Sequence, residues 1–263
     1  MRPLSIIILL CLLSVAKAQD GKYFYVGAQI TPGVSHRVLF LNSKVPQPNI
    51  ANIPDFIFNL RNKSEHPYIY GATGIVCGFQ VKNFFAVESG VNYAHHSYRH
   101  IDNNLFFDTG GYNDTSYNNN LQPCRLILTY GYHYLNIPLG IRFSLGKSAF
   151  KATIGTGAEI NVLLKKYTHT HLTNPDGSIY RNYNNNVNLN PHQRANLTAY
   201  LSVGVSYSFK NNVTISFAPI ARIQCLYNTK QTPVTERLWS VGMQTGVTYR
   251  LPLTQKKAAT PDS

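Results

Sequence analysis

Residues 135–145 read LNIPLGIRFSL, and every second residue of this stretch is apolar. The apolar positions are Leu135, Ile137, Leu139, Ile141, Phe143 and Leu145. The positions between them hold Asn136, Pro138, Gly140, Arg142 and Ser144. Because successive side chains of a β-strand point to opposite faces, the stretch predicts a strand with one apolar face and one polar face.

The same two-residue period recurs along most of the chain. It is found in residues 24–34, 69–81, 85–93, 135–145, 150–164, 197–209, 213–225 and 239–251, which makes eight predicted strands. A tilted strand needs roughly 9 to 11 residues to cross the apolar part of a bilayer, and most of these stretches are that long.

The connections between the predicted strands alternate between short and long. The short ones are residues 82–83, 146–148 and 210–212, which have the length of hairpin turns. The long ones are residues 36–67, 99–128 and 169–193, and a shorter one covers 228–236. This alternation places every long loop at the same end of the sheet, as in barrels with short periplasmic turns and longer extracellular loops. The sequence therefore predicts an all-β protein, an eight-stranded antiparallel up-and-down transmembrane β-barrel.

The polar face of the predicted strands favours a packed lumen over a solvated surface. It consists mostly of Gly, Ser, Thr, Asn and Gln, and its few charges are Glu88, Arg142, Lys151, Glu159 and Arg222. Since charges buried in a narrow lumen must pair, we predict an ion pair between Glu88 and Arg142, joined by Glu159 and Arg222. A structural network is the preferred interpretation of these four residues, and a charged constriction is the alternative.

Aromatic residues gather at both ends of the predicted strands. Near the short turns lie Phe79, Phe84, Phe85, Phe143, Phe150, Phe209 and Tyr249. Near the long loops lie Tyr68, Tyr93, Tyr130, Tyr132, Tyr134, Tyr167, Tyr227 and Trp239. Two such belts are typical of the girdles at the membrane–water interfaces, so we expect the chain in the cell outer membrane.

The start of the chain has the pattern of a secretory signal peptide. A basic Arg2 precedes an apolar run over residues 6–15, and Ala16-Lys17-Ala18 is an A-x-A cleavage site. We expect a signal peptide over residues 1–18 that is cleaved after Ala18, a barrel domain over 19–253 and a carboxy-terminal tail over 254–263.

Composition and charge exclude several classes of protein. Only 13% of the 263 residues are charged while 44% are hydrophobic, which argues against a disordered chain. The 24 basic residues against 11 acidic ones are scattered among turns, loops and the tail, so we expect no nucleic-acid partner. Outer-membrane lipid and lipopolysaccharide are the expected partners, because basic residues near a membrane surface attract anionic head groups.

Histidine and cysteine give weak signals for chemistry. His95, His96, His100, His169 and His171 lie near predicted loops and suggest a metal site, but solvated loop histidines are the preferred interpretation, and we expect no cofactor. We place Cys77 and Cys225 on the lipid-facing register and Cys124 in a loop, as small apolar residues more than reactive thiols.

Three stretches resemble a known family. Tyr134-Leu-Asn-Ile-Pro-Leu-Gly-Ile-Arg-Phe143 resembles the Y-L-x-I-P-L strand of PorT-like outer-membrane β-barrel proteins of Bacteroidota. Glu88–Tyr93 and Gly155–Ala158, the latter followed by 163–166, are similar to two further strands of that family. The resemblance implies an outer-membrane barrel and, for one branch of the family, a link to protein secretion.

These observations favour a non-enzymatic outer-membrane protein, a barrel anchor whose loops 36–67, 99–128 and 169–193 contact a protein partner. One alternative is a small passive pore or an accessory barrel in protein secretion. Another is an outer-membrane hydrolase, for which His96, His100 and Asp102 are candidates, with Asp108 and Asp114 nearby in the sequence. A soluble secreted barrel is the architectural alternative.

Overall fold

The computed structural model describes residues 22–41, 53–106, 123–146, 148–174, 177–186, 193–228 and 234–251. It contains nine strands: β1 (Tyr23–Leu41), β2 (Glu65–Lys82), β3 (Phe85–Phe106), β4 (Pro123–Leu145), β5 (Phe150–Thr173), β6 (Ile179–Asn186), β7 (Ala195–Ser208), β8 (Val213–Gln224) and β9 (Val234–Leu251). One helix, α1, covers Ile53–Ser64 between β1 and β2. The predicted signal peptide and tail lie outside the described residues.

Eight of the nine strands close into a ring. Strands β1 to β5 follow one another as antiparallel neighbours, β5 also pairs with β7, and β7, β8 and β9 continue the order. The ring closes where β1 pairs with β9 from Phe24↔Leu251 to Leu41↔Val234. The predicted eight-stranded antiparallel barrel is therefore confirmed, and closure leaves its paired strands without an open edge.

The strands are longer than the alternation of apolar residues predicts. Strand β3 runs to Phe106 and β4 begins at Pro123, so both ends of the predicted loop 99–128 are strand. The predicted loops 36–67, 169–193 and 228–236 are likewise partly regular structure. Backbone pairing continues there, although in the upper parts of β3 and β4 the side chains no longer sort into an apolar and a polar face.

The extra strand β6 lies beside the upper part of β5. It pairs with residues 167–173 of β5, while β7 pairs with residues 150–162 of the same strand. Beyond the level where β7 begins, β6 thus takes the place next to β5. The β5–β6 hairpin extends one side of the barrel at the end that carries the long connections, which we call the loop end.

Apolar side chains cover the outside of the ring and polar ones fill its inside. On β4, Leu139 is 55% exposed and Leu145 is 57% exposed, whereas Asn136 is 1% exposed. Buried Gln29, Asn92, Asn161 and Thr198 lie on four further strands. The predicted assignment of the faces is confirmed, since a soluble barrel would bury its apolar face instead.

Two hairpin turns at the opposite end, the short-turn end, use a positive φ. Gly146 has φ 127° between β4 and β5, and Asn212 has φ 66° between β7 and β8. Glycine adopts such angles without a steric penalty, and Asn tolerates the left-handed region. The chain can therefore reverse between neighbouring strands within a few residues at this end.

A β-bulge changes which side chains of β5 face inward. Tyr134 pairs with Leu163 and His133 pairs with Lys165, so Leu164 is left between them. Leu164 and Lys165 are both exposed on the outside. Lys166 therefore faces the lumen, where its ammonium lies 5.2 Å from the centre of the Tyr132 ring.

Three tyrosines predicted in the outer aromatic belt lie in the lumen instead. Tyr132 is 0% exposed and Tyr134 is 1% exposed, and Tyr130 stacks on the buried Tyr98 with ring centres 5.0 Å apart. They share the inward register of Asn136, and the strand continues through them to the loop end.

The placement of Cys124 in a loop is also wrong, because this residue belongs to β4.

Within the part of the chain that the structure describes, α1 is too short and too polar to cross a membrane.

Candidate functional site

The lumen contains ion pairs at three levels, and the level nearest the short turns holds Glu88 and Arg142. Arg142 Nη2 lies 2.9 Å from Glu88 Oε1. The hydroxyl of Tyr25 donates to the same Oε1 at 2.6 Å, and the Arg142 guanidinium lies 5.1 Å from the centre of the Tyr25 ring. Side chains of β1, β3 and β4 are thus linked to one another inside the barrel.

The middle level holds Glu159 and Arg222. Arg222 Nε donates to Glu159 Oε1 at 3.0 Å, and both side chains are less than 5% exposed. Asn136 Nδ2 donates to the other carboxylate oxygen at 3.3 Å, and Asn136 accepts a hydrogen bond from Asn161 Nδ2 at 2.8 Å. Both oxygens of the buried carboxylate therefore have partners, as a buried charge requires.

Aromatic rings surround the middle level. The Arg222 guanidinium lies 5.6 Å from the centre of the Tyr70 ring, which meets the His96 ring edge-on at 4.7 Å. His96 also contacts Tyr134, with ring centres 5.7 Å apart. These buried side chains fill the space between the opposite walls of the barrel at this height.

The loop-end level is a cluster of charges that the sequence did not predict. Arg37 on β1 forms ion pairs with Glu65 of β2 and Glu236 of β9, and all three side chains are at most 6% exposed. Tyr132 donates to the second oxygen of Glu236 at 2.7 Å. From α1, Arg61 Nε approaches Glu65 Oε1 at 3.2 Å.

A signal for this cluster is present in the sequence of β1. The exposed side chains of Val34 and Val38 continue the outward register, and Ser35 and Arg37 continue the inward one. Following the alternation past the predicted end of β1 at Val34 would have placed Arg37 in the lumen. Its partners Glu65 and Glu236 carry no comparable signal, because they come from the parts of the chain predicted as loops.

The four predicted lumen residues form two separate couples. Glu88 pairs with Arg142 and Glu159 pairs with Arg222, and among these four described side chains no ion pair joins one couple to the other. Lys151, also predicted on the polar face, lines the short-turn mouth of the lumen. The first couple links the neighbouring strands β3 and β4, and the second links β5 to β8 across β7. The arrangement can therefore stabilise a closed ring.

The predicted histidine positions are divided between the two faces of the wall. His95 faces outward and stacks with His133 at 4.8 Å and with Tyr167, whose hydroxyl lies 3.1 Å from His95 Nε2. His96 faces inward and is buried. Over the described ranges, no three His, Cys, Asp or Glu side chains gather as a metal site would require.

The residues considered for hydrolysis lie in different surroundings in the part of the chain that the structure describes. His96 is enclosed between the rings of Tyr70 and Tyr134. His100 lies opposite Glu65 in the backbone register of β3 and β2. Asp102 lies two positions further along β3. Asp108 and Asp114 lie outside the described residues.

Comparisons with known proteins give outer-membrane barrels of low similarity. No family model matches the chain, and no curated protein matches its sequence. Neisserial surface protein A shares 15% identity over 88% of this chain and 100% of its own, with a TM-score of 0.38. The outer membrane protein OprG of Pseudomonas aeruginosa shares 8% identity over 89% of this chain and 99% of its own, with a TM-score of 0.37. A major outer membrane protein of Thermus thermophilus shares 12% identity over 88% and 100%, with a TM-score of 0.32.

Proposed function

We propose that this chain is a non-enzymatic protein of the bacterial outer membrane, in which the barrel is the anchor and the loop end contacts a partner. The observation that carries the proposal is the apolar outer wall. Large apolar side chains between 36% and 60% exposed lie on every strand of the ring. In water such a wall would be a large aggregation-prone patch, whereas hydrocarbon solvates it without cost.

The filled lumen supports an anchor more than a passive pore. Ion pairs occur at three heights, and Tyr98, Tyr132 and Tyr134 are at most 1% exposed between them. Eight-stranded barrels have an interior just wide enough for side chains to fill. Opening a path for solutes would require these charge pairs to separate.

The loop end supports a role in contact. Strands β3, β4 and β5 are 22, 23 and 24 residues long, about twice what the membrane requires. Together with α1 and β6 they build a raised platform, which includes the described parts of the stretches 36–67, 99–128 and 169–193. The sequence resemblance to PorT-like barrels of Bacteroidota is in keeping with this proposal, and an accessory role in protein secretion would be one form of such contact.

Lipopolysaccharide is the lipid partner that we propose for the rim below this platform. The Arg99 guanidinium lies 3.4 Å from the centre of the Tyr68 ring, and Lys165 is exposed on the outer wall beside His133. Cations beside aromatic rings at the interface suit anionic head groups.

The outward-facing Cys77 offers a direct test of membrane insertion. Its side chain is exposed on β2 and pairs in register with Val26 and Ser89, well away from both ends of the strand. In a variant that keeps Cys77 as its sole cysteine, we expect a lipophilic maleimide to label the folded protein in membranes and a charged maleimide to fail. Labelling by both reagents would favour a soluble barrel and overturn the proposal.

A second experiment tests the loop end. Photo-crosslinkers placed on exposed Asn184 of β6 should capture a specific partner on intact cells, while the same group on Lys210 in a short turn should capture none. Identical capture at both positions would contradict contact through the loop end.

In planar bilayers we expect no steady single-channel conductance, and a steady channel would favour the passive pore.

A further inference from the structure

A polar cavity opens at the short-turn mouth of the lumen. It offers about 30 Å³ to the centres of water molecules, room for about two or three of them. Its lining includes Tyr25, Gln80, Arg142, Lys151, Ser206 and Arg250. Every lining side chain carries a polar group, so the cavity is suited to a hydrogen-bonding ligand and not to an apolar one.

The cavity has an excess of positive charge. Arg142, Lys151 and Arg250 line it, and no carboxylate belongs to the described lining. The nearby Glu88 already binds Arg142 at 2.9 Å and accepts from Tyr25 at 2.6 Å. The charges of Lys151 and Arg250 are therefore left without an acidic partner among the lining residues. This differs from the two levels above, where each buried arginine faces a carboxylate.

Arg250 is held in place by its neighbours. Its Nη2 donates to Ser208 Oγ at 2.5 Å, and its guanidinium lies 4.9 Å from the centre of the Tyr23 ring. A guanidinium bound by hydroxyl groups and an aromatic ring is fixed in orientation without losing its charge. Lys151 enters from β5, where it pairs in register with Ser206 of β7. Two cations from different strands thus meet a set of hydroxyl donors.

We infer that this mouth binds a phosphoryl group or a comparable small tetrahedral oxyanion. Such a ligand accepts hydrogen bonds on every oxygen, which matches arginine, lysine and hydroxyl donors, and charge-assisted bonds of this kind are about twice as strong as neutral ones. It would enter from the side of the short turns and would replace the few water molecules for which the cavity has room. This site is independent of the contact proposed for the loop end.

Isothermal titration of the purified barrel in a zwitterionic detergent at low salt tests the inference. We expect saturable binding of inorganic phosphate and sulfate. Arg250→Gln and Lys151→Gln should each weaken phosphate binding at least fivefold, because each removes one of the two uncompensated charges. The matched control is Lys210→Gln, which removes a cation exposed in the next short turn and should change the affinity less than twofold.

The outcomes separate the sources of the ligand. Equal binding of glycerol phosphate and inorganic phosphate would indicate a phosphate ester such as a lipid head group, while binding of the inorganic ion alone would indicate the free anion. Heat-modifiable gel migration shows that each variant is folded. The inference is overturned if the wild-type barrel shows no saturable phosphate binding, or if Lys210→Gln weakens binding as much as Lys151→Gln does.

Discussion

Arg222 on β8 and Glu159 on β5 form an ion pair at 3.0 Å although strand β7 lies between their own strands. The pair thus reaches over the inward face of β7 and holds three strands of the wall in one arrangement. Both side chains are less than 5% exposed, so neither charge is screened by bulk water.

We expect Glu159→Gln alone to lower the free energy of unfolding by about 3 kcal/mol or more, because it leaves Arg222 buried and unpaired. The double variant Glu159→Gln, Arg222→Met should recover a large part of that loss, since both charges are gone. Urea unfolding in lipid vesicles gives both values. Additive losses in the double variant would contradict a coupled pair.

Removal of Arg37 should be far more damaging than removal of Arg61. Arg37→Ala removes the buried cation that both Glu65 and Glu236 contact and leaves them the partly exposed Arg61, whereas Arg61→Ala leaves both carboxylates paired with Arg37. We expect a loss of about 3–5 kcal/mol for the first variant and about 0–1 kcal/mol for the second, because the Arg61 side chain is 29% exposed. Similar losses for the two variants, measured in the same urea unfolding assay, would show that the loop-end cluster does not depend on Arg37.

A lysine on the outer wall should report the depth of each position in the bilayer. Leu139→Lys places a charge in the middle of the apolar wall and should cost about 2–4 kcal/mol, while Leu145→Lys at the edge should cost about 0–1 kcal/mol. Folding into vesicles of defined thickness measures both. If the barrel is soluble, both lysines lie in water, and the two costs should be equally small.

Tyr25→Phe should destabilise the short-turn level of the lumen. The change removes the hydroxyl that donates to Glu88 at 2.6 Å, and a hydrogen bond to a charged group contributes about 1.5–3 kcal/mol. Tyr249→Phe is the matched control, because Tyr249 is 46% exposed on the outer wall. We expect a clear loss in thermal stability for the first variant and little change for the second.

Gly157 on β5 should tolerate no larger side chain. A Cβ atom at this position would overlap the carbonyl oxygen of Leu139, while a Cβ atom at Gly71 on β2 would meet nothing within 4 Å. Gly157→Val should therefore cost about 1–3 kcal/mol or prevent folding, and Gly71→Val should be close to neutral. Equal yields of the two variants in a refolding assay would contradict the close packing of β4 on β5.

The part of the fold that could be predicted from the sequence is the part in contact with the proposed membrane. Between Val26 and Val34, or between Leu135 and Leu145, one face must be apolar and the other polar, and the alternation follows. Above this belt apolar, polar and aromatic residues are mixed on both faces of β3 and β4. Pairing continues through the backbone alone, and the side-chain pattern no longer marks the strand.

The lumen couples were predictable for the same reason, and the loop-end cluster was not. Each of the four charged residues lies on the polar face of a regular alternation, so its inward direction follows from the sequence. These residues are Glu88, Arg142, Glu159 and Arg222. The bulge at Leu164 shifts the register of β5, which is why the inward direction of Lys166 could not be predicted from a strict period of two. The partners of Arg37 lie at the start of β2 and near the start of β9, in stretches predicted as loops, where no such period was found.

The length of β5 determines how far the loop end extends from the apolar part of the barrel. Its 24 residues at about 3.3 Å each make a ribbon of about 80 Å, or roughly 60 Å of height when tilted by about 40°. The apolar layer of the proposed membrane takes up about 25 Å of that height. In the proposed orientation the end of β5 then stands about 35 Å beyond this apolar layer, so a large partner of the kind proposed would meet it before the membrane itself.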